Sequence, residues 1–384
     1  MSFEHITSNE QLVTLCQRLR GASVLALDTE FIREKTYYPK LCLIQIATPE
    51  CVACIDPLSI SQMQPLWDLL LNPDCLKVLH AARQDLEIFY HLFGEVPQPV
   101  FDTQLVATVL GYGEQVGYGN LIKKVLDVDL NKGHARTDWM QRPLSQEQLD
   151  YAADDVRYLI QAYPVLVATL EKLKRSDWLK EDFNELVQSA LYDVELDQVW
   201  QRVSGTTRLK GVQLAILQQL AAWREQEAKT RDKPRKWILA DDMLVSLAQH
   251  PPRDKAQLQR LRGLSDNLIH RHGDELLRLI KAGQAVPREQ WPSLKFKSRL
   301  SVEQEALADS VMALIRLRAT QNQITATLLA TRKDVDGLIQ GDPTVSLLHG
   351  WRAALAGQDV LAYLEGKLVL QVEDRQLVAQ PVTP

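Results

Sequence analysis

Apolar positions in the first half of the chain follow two different periods. Val24-Leu25-Ala26-Leu27 is a continuous apolar run behind Gly21 with a β-branched start, and residues 23–31 read as a buried strand. Residues 41–47 and 52–55 read as neighbouring strands, and 77–80 as the end of a further one. Between and after them, 65–71, 85–93, 103–110 and 120–126 carry apolar residues at helical spacing. Residues 146–161 form another helical stretch, with Ser145 as N-cap and Gln148 three residues later completing a capping box. Helical patterns at 159–178 and 181–191 lead to a linker near 197–206. Interleaved strands and helices predict an α/β domain over 1–195, a mixed sheet flanked by helices.

The remainder reads as helical, in two units of similar length. The first, 207–285, has helical stretches at 209–227, 238–248 (with Asp241 or Asp242 as cap), 258–263 and 268–280. The second, 300–373, opens on Ser301 as N-cap and continues through 305–322, 326–329, 335–339 and 347–352. Residues 286–299, with two prolines and three basic residues after Gln290, read as a linker, and the last ten residues as a loose tail.

Charge divides along the same line. Residues 1–199 hold 17 Lys+Arg against 29 Asp+Glu, and residues 200–384 hold 27 against 20, so a net of −12 faces a net of +7. An acidic half suited to gathering cations, joined to a basic half able to track phosphates, fits an enzyme acting on nucleic acid; two ordinary domains that differ by chance are the plain alternative. Hydrophobic content of 46% with 24% charged residues is that of a soluble globular protein, and no apolar stretch approaches a membrane span. The first residues lack the basic and apolar regions of a signal peptide, and the five cysteines are an odd number, so a reducing cytoplasm is expected. Cys51 and Cys54 form a Cys-x-x-Cys without a second pair or a histidine cluster, and are expected as buried or edge-strand thiols rather than as a redox or zinc site.

The acids carry the candidate chemistry. Asp28 and Glu30 close the first apolar strand two residues apart, so their side chains share one face with Cα atoms ~7 Å apart. Two acids there are costly unless neutralised, although a solvated strand end would also account for them. Asp85 falls in the early turns of the 85–93 helix, where it could simply favour the helix dipole. Tyr151 and Asp155 are i and i+4 on a helix, on one face and ~6 Å apart along the axis. Asp154 points elsewhere and is expected to be solvated or to cap a neighbouring loop; Asp150 is expected at the surface. Were Asp28, Glu30, Asp85 and Asp155 to meet, repulsion would raise their pKa values until cations bound. All-oxygen ligands favour Mg²⁺ or Mn²⁺, and two ions ~3.5–4 Å apart can clamp the attacking and leaving oxygens of a phosphoryl displacement. Tyr151 could orient the attacking water or help deprotonate it.

Asp28-Thr29-Glu30-Phe31, His80-Ala-x-x-x-Asp85-Leu86 and Tyr151-x-x-x-Asp155 resemble the three motifs of the DEDD 3′→5′ exonucleases, and the tyrosine marks the DEDDy branch. Thr36-Tyr37-Tyr38-Pro39, Phe101-Asp102-Thr103-Gln104 and Arg136-Thr137-Asp138-Trp139 with Arg142-Pro143-Leu144 resemble bacterial ribonuclease D in particular. The two helical units resemble HRDC domains, the second more divergent. The resemblance implies an RNase H-like core and stepwise hydrolysis of RNA 3′ ends to nucleoside 5′-monophosphates. It implies Asp28 bridging two metals, Glu30 and Asp155 on the metal that carries the water, Asp85 on the second, and Tyr151 positioning the water. It implies tRNA precursors and other small structured RNAs as substrates, in a chain expected to be monomeric.

Candidate RNA contacts are less distinct. Lys229, Arg231, Lys233, Arg235 and Lys236 cluster in a segment with one Asp and suit phosphate contacts or a solvated turn. Trp237 beside them could stack on a base but is expected to pack into the helical core. Arg136 and Trp139 could order over the substrate end or form a structural loop, and His80 is expected as a hydrogen-bonded core histidine before a substrate contact. Two rivals share these residues: a 3′→5′ DNA exonuclease with the same carboxylates, and a catalytically silent adaptor binding nucleic acid through the HRDC units.

Overall fold

The computed structural model describes residues 2–131, 133, 137–261, 263–294 and 299–382. The chain divides into two compact units, one of Met1–Glu30, Leu41–Leu191 and Lys297–Pro384, the other of Phe31–Lys40 and Tyr192–Phe296.

In the first unit, β1 (Glu4–Ile6), α1 (Asn9–Leu19), β2 (Val24–Ile32), β3 (Lys40–Ala47) and β4 (Val52–Ile55) precede α2 (Gln64–Leu70), β5 (Leu76–Leu79), α3 (Arg83–Phe93) and β6 (Val100–Asp102). The helices α4 (Thr103–Val109), α5 (Tyr118–Leu126), α6 (Gln146–Lys172) and α7 (Lys180–Leu186) follow. Six strands form one sheet in the order β1-β4-β3-β2-β5-β6. It is mixed: β1 runs parallel to β4, β5 parallel to β2 and β6, and β3 antiparallel to β4. β2 therefore sits centrally, with the apolar Leu25-Ala26-Leu27 fully buried and its acidic end at the sheet margin.

The capping box at Ser145 and Gln148 is formed, and the two helical stretches expected after it are one helix of 27 residues. Pro164 lies inside it on an exposed face, where the backbone carbonyl it leaves without a donor can be hydrated. No disulfide joins the five cysteines; Cys54 is buried within β4 and Cys51 precedes it.

The second unit contains α8 (Val212–Thr230), α9 (Arg235–Ile238), α10 (Asp241–Gln249), α11 (Lys255–Arg260) and α12 (Asp266–Gln284). Helices α8 and α12 approach so closely that a Cβ on Gly283 would stand 2.5 Å from the Ile216 Cα, which only glycine allows. Three expectations change here. Val199, Trp200 and Val203, within the expected linker, are buried in the core of this unit because they are its apolar residues. Neither Asp241 nor Asp242 caps α10: Ala240 is the N-cap, and the Asp241 carboxylate accepts from the buried Arg224 at 2.7 Å. Trp237 is not in the core but 62% exposed, since the short helix α9 turns it outward while Ile238 and Leu239 face in.

The segment Phe31–Lys40 is held against α8 and the turn after it. Tyr37 is buried, its hydroxyl donates to Glu225 at 2.5 Å, and Asp232 accepts the backbone N–H groups of Tyr37 and Tyr38. Arg235 grips the buried Glu225 with two donors at 2.5 and 2.7 Å and lies over the Tyr37 ring.

The first unit is completed by α13 (Val302–Gln321), capped by Ser301 as expected, then α14 (Ala326–Leu329), α15 (Arg332–Ile339), α16 (Gly350–Arg352) and α17 (Gln358–Leu364). The expected loose tail is instead ordered as the second strand of an antiparallel hairpin, β7 (Leu368–Glu373) and β8 (Gln376–Pro381). Asp374 and Arg375 make the turn, both at positive φ, and Leu368, Leu370 and Ala379 bury one face on the helical core. The Asp-Arg turn lacks the usual glycine, so the alternation around it gave no hairpin signal. No helix among the described residues is long and apolar enough to cross a membrane.

Candidate active site

The carboxylates of Asp28, Glu30 and Asp155 converge. One oxygen of each lies within 4.8 Å of the others, so alternation along β2 and the helical turn of α6 bring two strand acids onto one helix acid. Thr29, between the two strand acids, is buried, and its hydroxyl donates to the carboxylate of Asp85. Asp85 occupies the first turn of α3 and is itself buried.

The start of α3 is built by a residue from another strand. Asp102 accepts the N–H groups of Ala81 at 3.1 Å and Ala82 at 2.9 Å, and also that of Gln104 at 2.8 Å, where it caps α4. Ala81 is held at a φ of +59°, an uncommon conformation for a residue with a Cβ, and the Asp102 bonds stabilise it. That bend sets the direction in which α3 leaves β5 and hence where Asp85 projects. The sequence singled out Asp102 only within Phe101-Asp102-Thr103-Gln104, and its part in setting the start of α3 was not legible there.

Electrostatically the cluster is unfavourable as it stands. Burial raises Asp28 well above the usual carboxylate range, and the charges of Asp155, Asp85 and Glu30 add to this. Burial, then Asp155 and Asp85, push Glu30 up to about 9. Asp85 is raised chiefly by burial, with the Thr29 hydrogen bond opposing, and Asp155 is raised by burial and by Asp154. Largely desolvated carboxylates without an ion-pairing cation among the described residues are chemically suited to a divalent ion, and the all-oxygen donor set fits a hard one. Tyr151, one turn before Asp155, is raised by burial and by Asp155, Glu30 and Asp28, so its hydroxyl keeps its proton as a donor.

Around this cluster the remaining candidates separate. His80 is a core histidine: Nε2 donates to the Val116 carbonyl at 3.0 Å, Nδ1 lies 2.9 Å from the Thr103 hydroxyl, and burial pushes its pKa down. Trp139 is buried with its ring 6.2 Å from that of Tyr151, so it backs the phenol and offers no open face to a base. Its loop is pinned by Arg142, which donates to the buried Asp56 at 2.7 and 2.8 Å and to the carbonyls of Trp139 and Cys42. Arg136 lies outside the described residues. Asp154 forms an ion pair with Arg157 on the same helix. Its carbonyl accepts from Tyr118, a residue the sequence did not single out. Tyr118, Asn120, Leu130 and Asn131 line a cavity of about 270 Å³ that Tyr151 and Asp155 close.

In the helical unit, Arg235 is committed to Glu225, and Arg231 to Glu227 at 2.8 Å and to His272. Lys233 and Lys236 are exposed and Lys229 is half-buried.

Residues 3–171 match the family described as 3′-5′ exonuclease, and residues 213–280 match the HRDC domain. The chain is 41% identical over 374 residues to ribonuclease D of Zymomonas mobilis, covering 96% of this chain and 95% of that one. It is 39% identical over 377 residues to ribonuclease D of Sphingobium indicum, covering 97% of each. The structure is similar to the crystal structure of Escherichia coli RNase D, described as an exoribonuclease involved in structured RNA processing. The TM-score is 0.82 at 34% identity, over 95% of this chain and 99% of that one. The catalytic core of RRP6 from Trypanosoma brucei shares the fold, with a TM-score of 0.55 at 23% identity over 74% of this chain and 81% of that one.

Proposed function

The chain belongs to the ribonuclease D family, and on that premise we propose that Asp28, Glu30, Asp85 and Asp155 hold two divalent ions, with Tyr151 beside them, for stepwise hydrolysis of RNA 3′ ends. It is an exoribonuclease, and the 3′-5′ exonucleases of this family use divalent metals. The observation that carries the site assignment is the meeting of the Asp28, Glu30 and Asp155 carboxylates within 4.8 Å.

The hard, oxygen-only donor set favours Mg²⁺ or Mn²⁺. When bound, such ions supply an activated water and neutralise charge building on the phosphate. The protein's own contribution is positional. Thr29 holds Asp85, Asp102 fixes the start of α3, and Tyr151, kept as a phenol, directs its hydroxyl at the attacking water. The products are nucleoside 5′-monophosphates, and the substrates are tRNA precursors and other small structured RNAs, handled by a monomer in the cytoplasm. The working division is an exonuclease domain at 1–195, an HRDC domain at 207–285 and a divergent HRDC-like domain at 300–373. Lys229, Lys233 and Lys236 are the phosphate contacts of the basic segment, since Arg231 and Arg235 are engaged within the protein.

A time course on a 3′-extended tRNA precursor with Mg²⁺, Mn²⁺ or chelator tests direction, substrate and metal together. Shortening from the 3′ end, with release of 5′-monophosphates only when metal is present, is expected. Internal cuts, turnover in chelator, or faster loss of a matched DNA oligonucleotide would defeat the reading, the last in favour of a DNA exonuclease.

A further inference from the structure

We propose that Trp237, with Arg271 and Asn267, forms a site on the helical unit that takes one unpaired nucleotide of RNA, the base stacked on the indole and the phosphate on the guanidinium.

Trp237 is 62% exposed although it is the largest side chain of α9, and among the described residues its indole N–H has no partner. An exposed apolar residue by itself is ordinary. What surrounds this one is not. The ring borders a notch of about 160 Å³, room for a single planar ring, whose walls include Arg231, Asn267, Leu268 and Arg271. The Arg231 side is rigid. Its guanidinium is bound by Glu227 at 2.8 Å and by His272 at 2.6 Å, and His272 rests edge-on against Trp223. Arg271 is different: it is exposed and has no ion pair or side-chain hydrogen bond among the described residues. Asn267, exposed in the first turn of α12, presents an amide without a side-chain partner among the described residues, able to donate to and accept from a base edge. Lys233, before α9, and Lys236, within it, are exposed and add positive charge to this segment.

A flat aromatic face, an unpaired planar cation and an amide around a ring-sized notch match the requirements of a splayed-out base and its phosphate. Duplex RNA, whose bases are already stacked on each other, offers no ring to this face. The proposal rests on the exoribonuclease reading for its choice of RNA; Asn267 and Arg271 are additional to the residues named above, and Trp237 takes the stacking role in place of the core packing expected from the sequence.

The test uses the full chain and a fluorescent oligouridylate of ~12 nucleotides, within the usual site sizes for single strands. Binding is followed by anisotropy in chelator, so that no hydrolysis is needed. Trp237→Ala is expected to weaken binding roughly 5- to 100-fold, as loss of one stacked base does, and Trp237→Phe to restore most of it. Arg271→Gln is expected to lower the slope of log affinity against log salt by about 0.7, and Trp237→Ala to leave that slope unchanged. Wild-type affinity in Trp237→Ala would overturn the proposal. So would an equal loss on a blunt RNA duplex, or equal competition by polyglutamate, which would mark an acidic-peptide surface. A protein that bound in this Trp237-dependent way yet hydrolysed nothing with metal would defeat the exoribonuclease reading and leave this site standing.

Discussion

The Thr29 hydroxyl donates to the carboxylate of Asp85, so the residue between the two strand acids holds the third acid in place. Thr29→Val keeps the shape and removes the bond. Hydrogen bonds to charged groups contribute ~1.5–3 kcal/mol, which predicts a fall in kcat of roughly tenfold or more. The metal concentration for half-maximal rate should rise, KM for RNA should stay within about twofold, and Thr29→Ser should recover activity. Steady-state rates over a metal titration decide this; an unaltered titration would remove Thr29 from the site.

Asp28→Ala and Asp155→Ala each remove one carboxylate from the converged cluster. Hydrolysis is expected to drop by at least ~10³-fold, in line with loss of a preorganised charge-stabilising group, while RNA binding in chelator persists. Single-turnover assays paired with binding measurements check both halves. Residual turnover near wild type in either variant would sink the metal site.

Tyr151→Phe keeps the ring against Trp139 and deletes the hydroxyl beside Asp155. If the hydroxyl acts on the water as proposed, the expected outcome is a lower kcat, by about 10–10³-fold, with KM nearly constant. A change confined to KM would make Tyr151 a substrate contact instead.

Metal-free stability should fall as the solution becomes more basic. Glu30 moves from 4.5 to about 9 on folding, so the folded chain holds this proton more tightly than the unfolded chain. The stabilisation is therefore complete below 4.5 and is lost as pH rises through about 9. A divalent ion binds the deprotonated acids, so its effect on Tm should grow over the same interval. Thermal melts with and without Mn²⁺ at about pH 6 and about pH 8.5 test the sign, and a larger Tm gain at the lower pH would contradict it.

Arg235 neutralises the buried Glu225. Burial disfavours the Glu225 charge, but the hydrogen bonds from Arg235 and Tyr37 outweigh it and hold the carboxyl below its usual range. Arg235→Ala leaves that charge unpaired. Because Arg235 is about one-third exposed, we expect ~2 kcal/mol of destabilisation, less than the ~3–5 typical of fully buried pairs. A double replacement of Glu225 and Arg235 by methionine should be close to neutral. Urea unfolding of the three proteins measures both, and a neutral Arg235→Ala would show that solvent already serves Glu225.

Trp139 and Trp237 show the limit of reading side chains in one dimension. Trp139 lies between Arg136 and Arg142, and Trp237 directly follows Lys236, so basic neighbours along the chain do not tell which ring is buried. One is buried behind Tyr151 and the other is exposed on a four-residue helix. Arg231 and Arg235 fit either phosphate contacts or a solvated turn by sequence, and in the structure they pair with Glu227 and Glu225 on the preceding helix. The hairpin at the C-terminus was hidden because its strands are defined by what they bury and its turn lacks glycine.

The sequence by itself determined which acids share a face. Asp28 and Glu30 share a strand face, and Tyr151 and Asp155 a helix face, because backbone periodicity is local and can be counted along the chain. It also determined the α/β half, the helical remainder and the capping boxes at Ser145 and Ser301. Only the tertiary structure decided that Thr29 holds Asp85, that Asp102 bends the chain at Ala81, and which cations and aromatic rings remain exposed. Those are relations between residues distant in sequence, and they depend on which groups burial leaves in need of a partner.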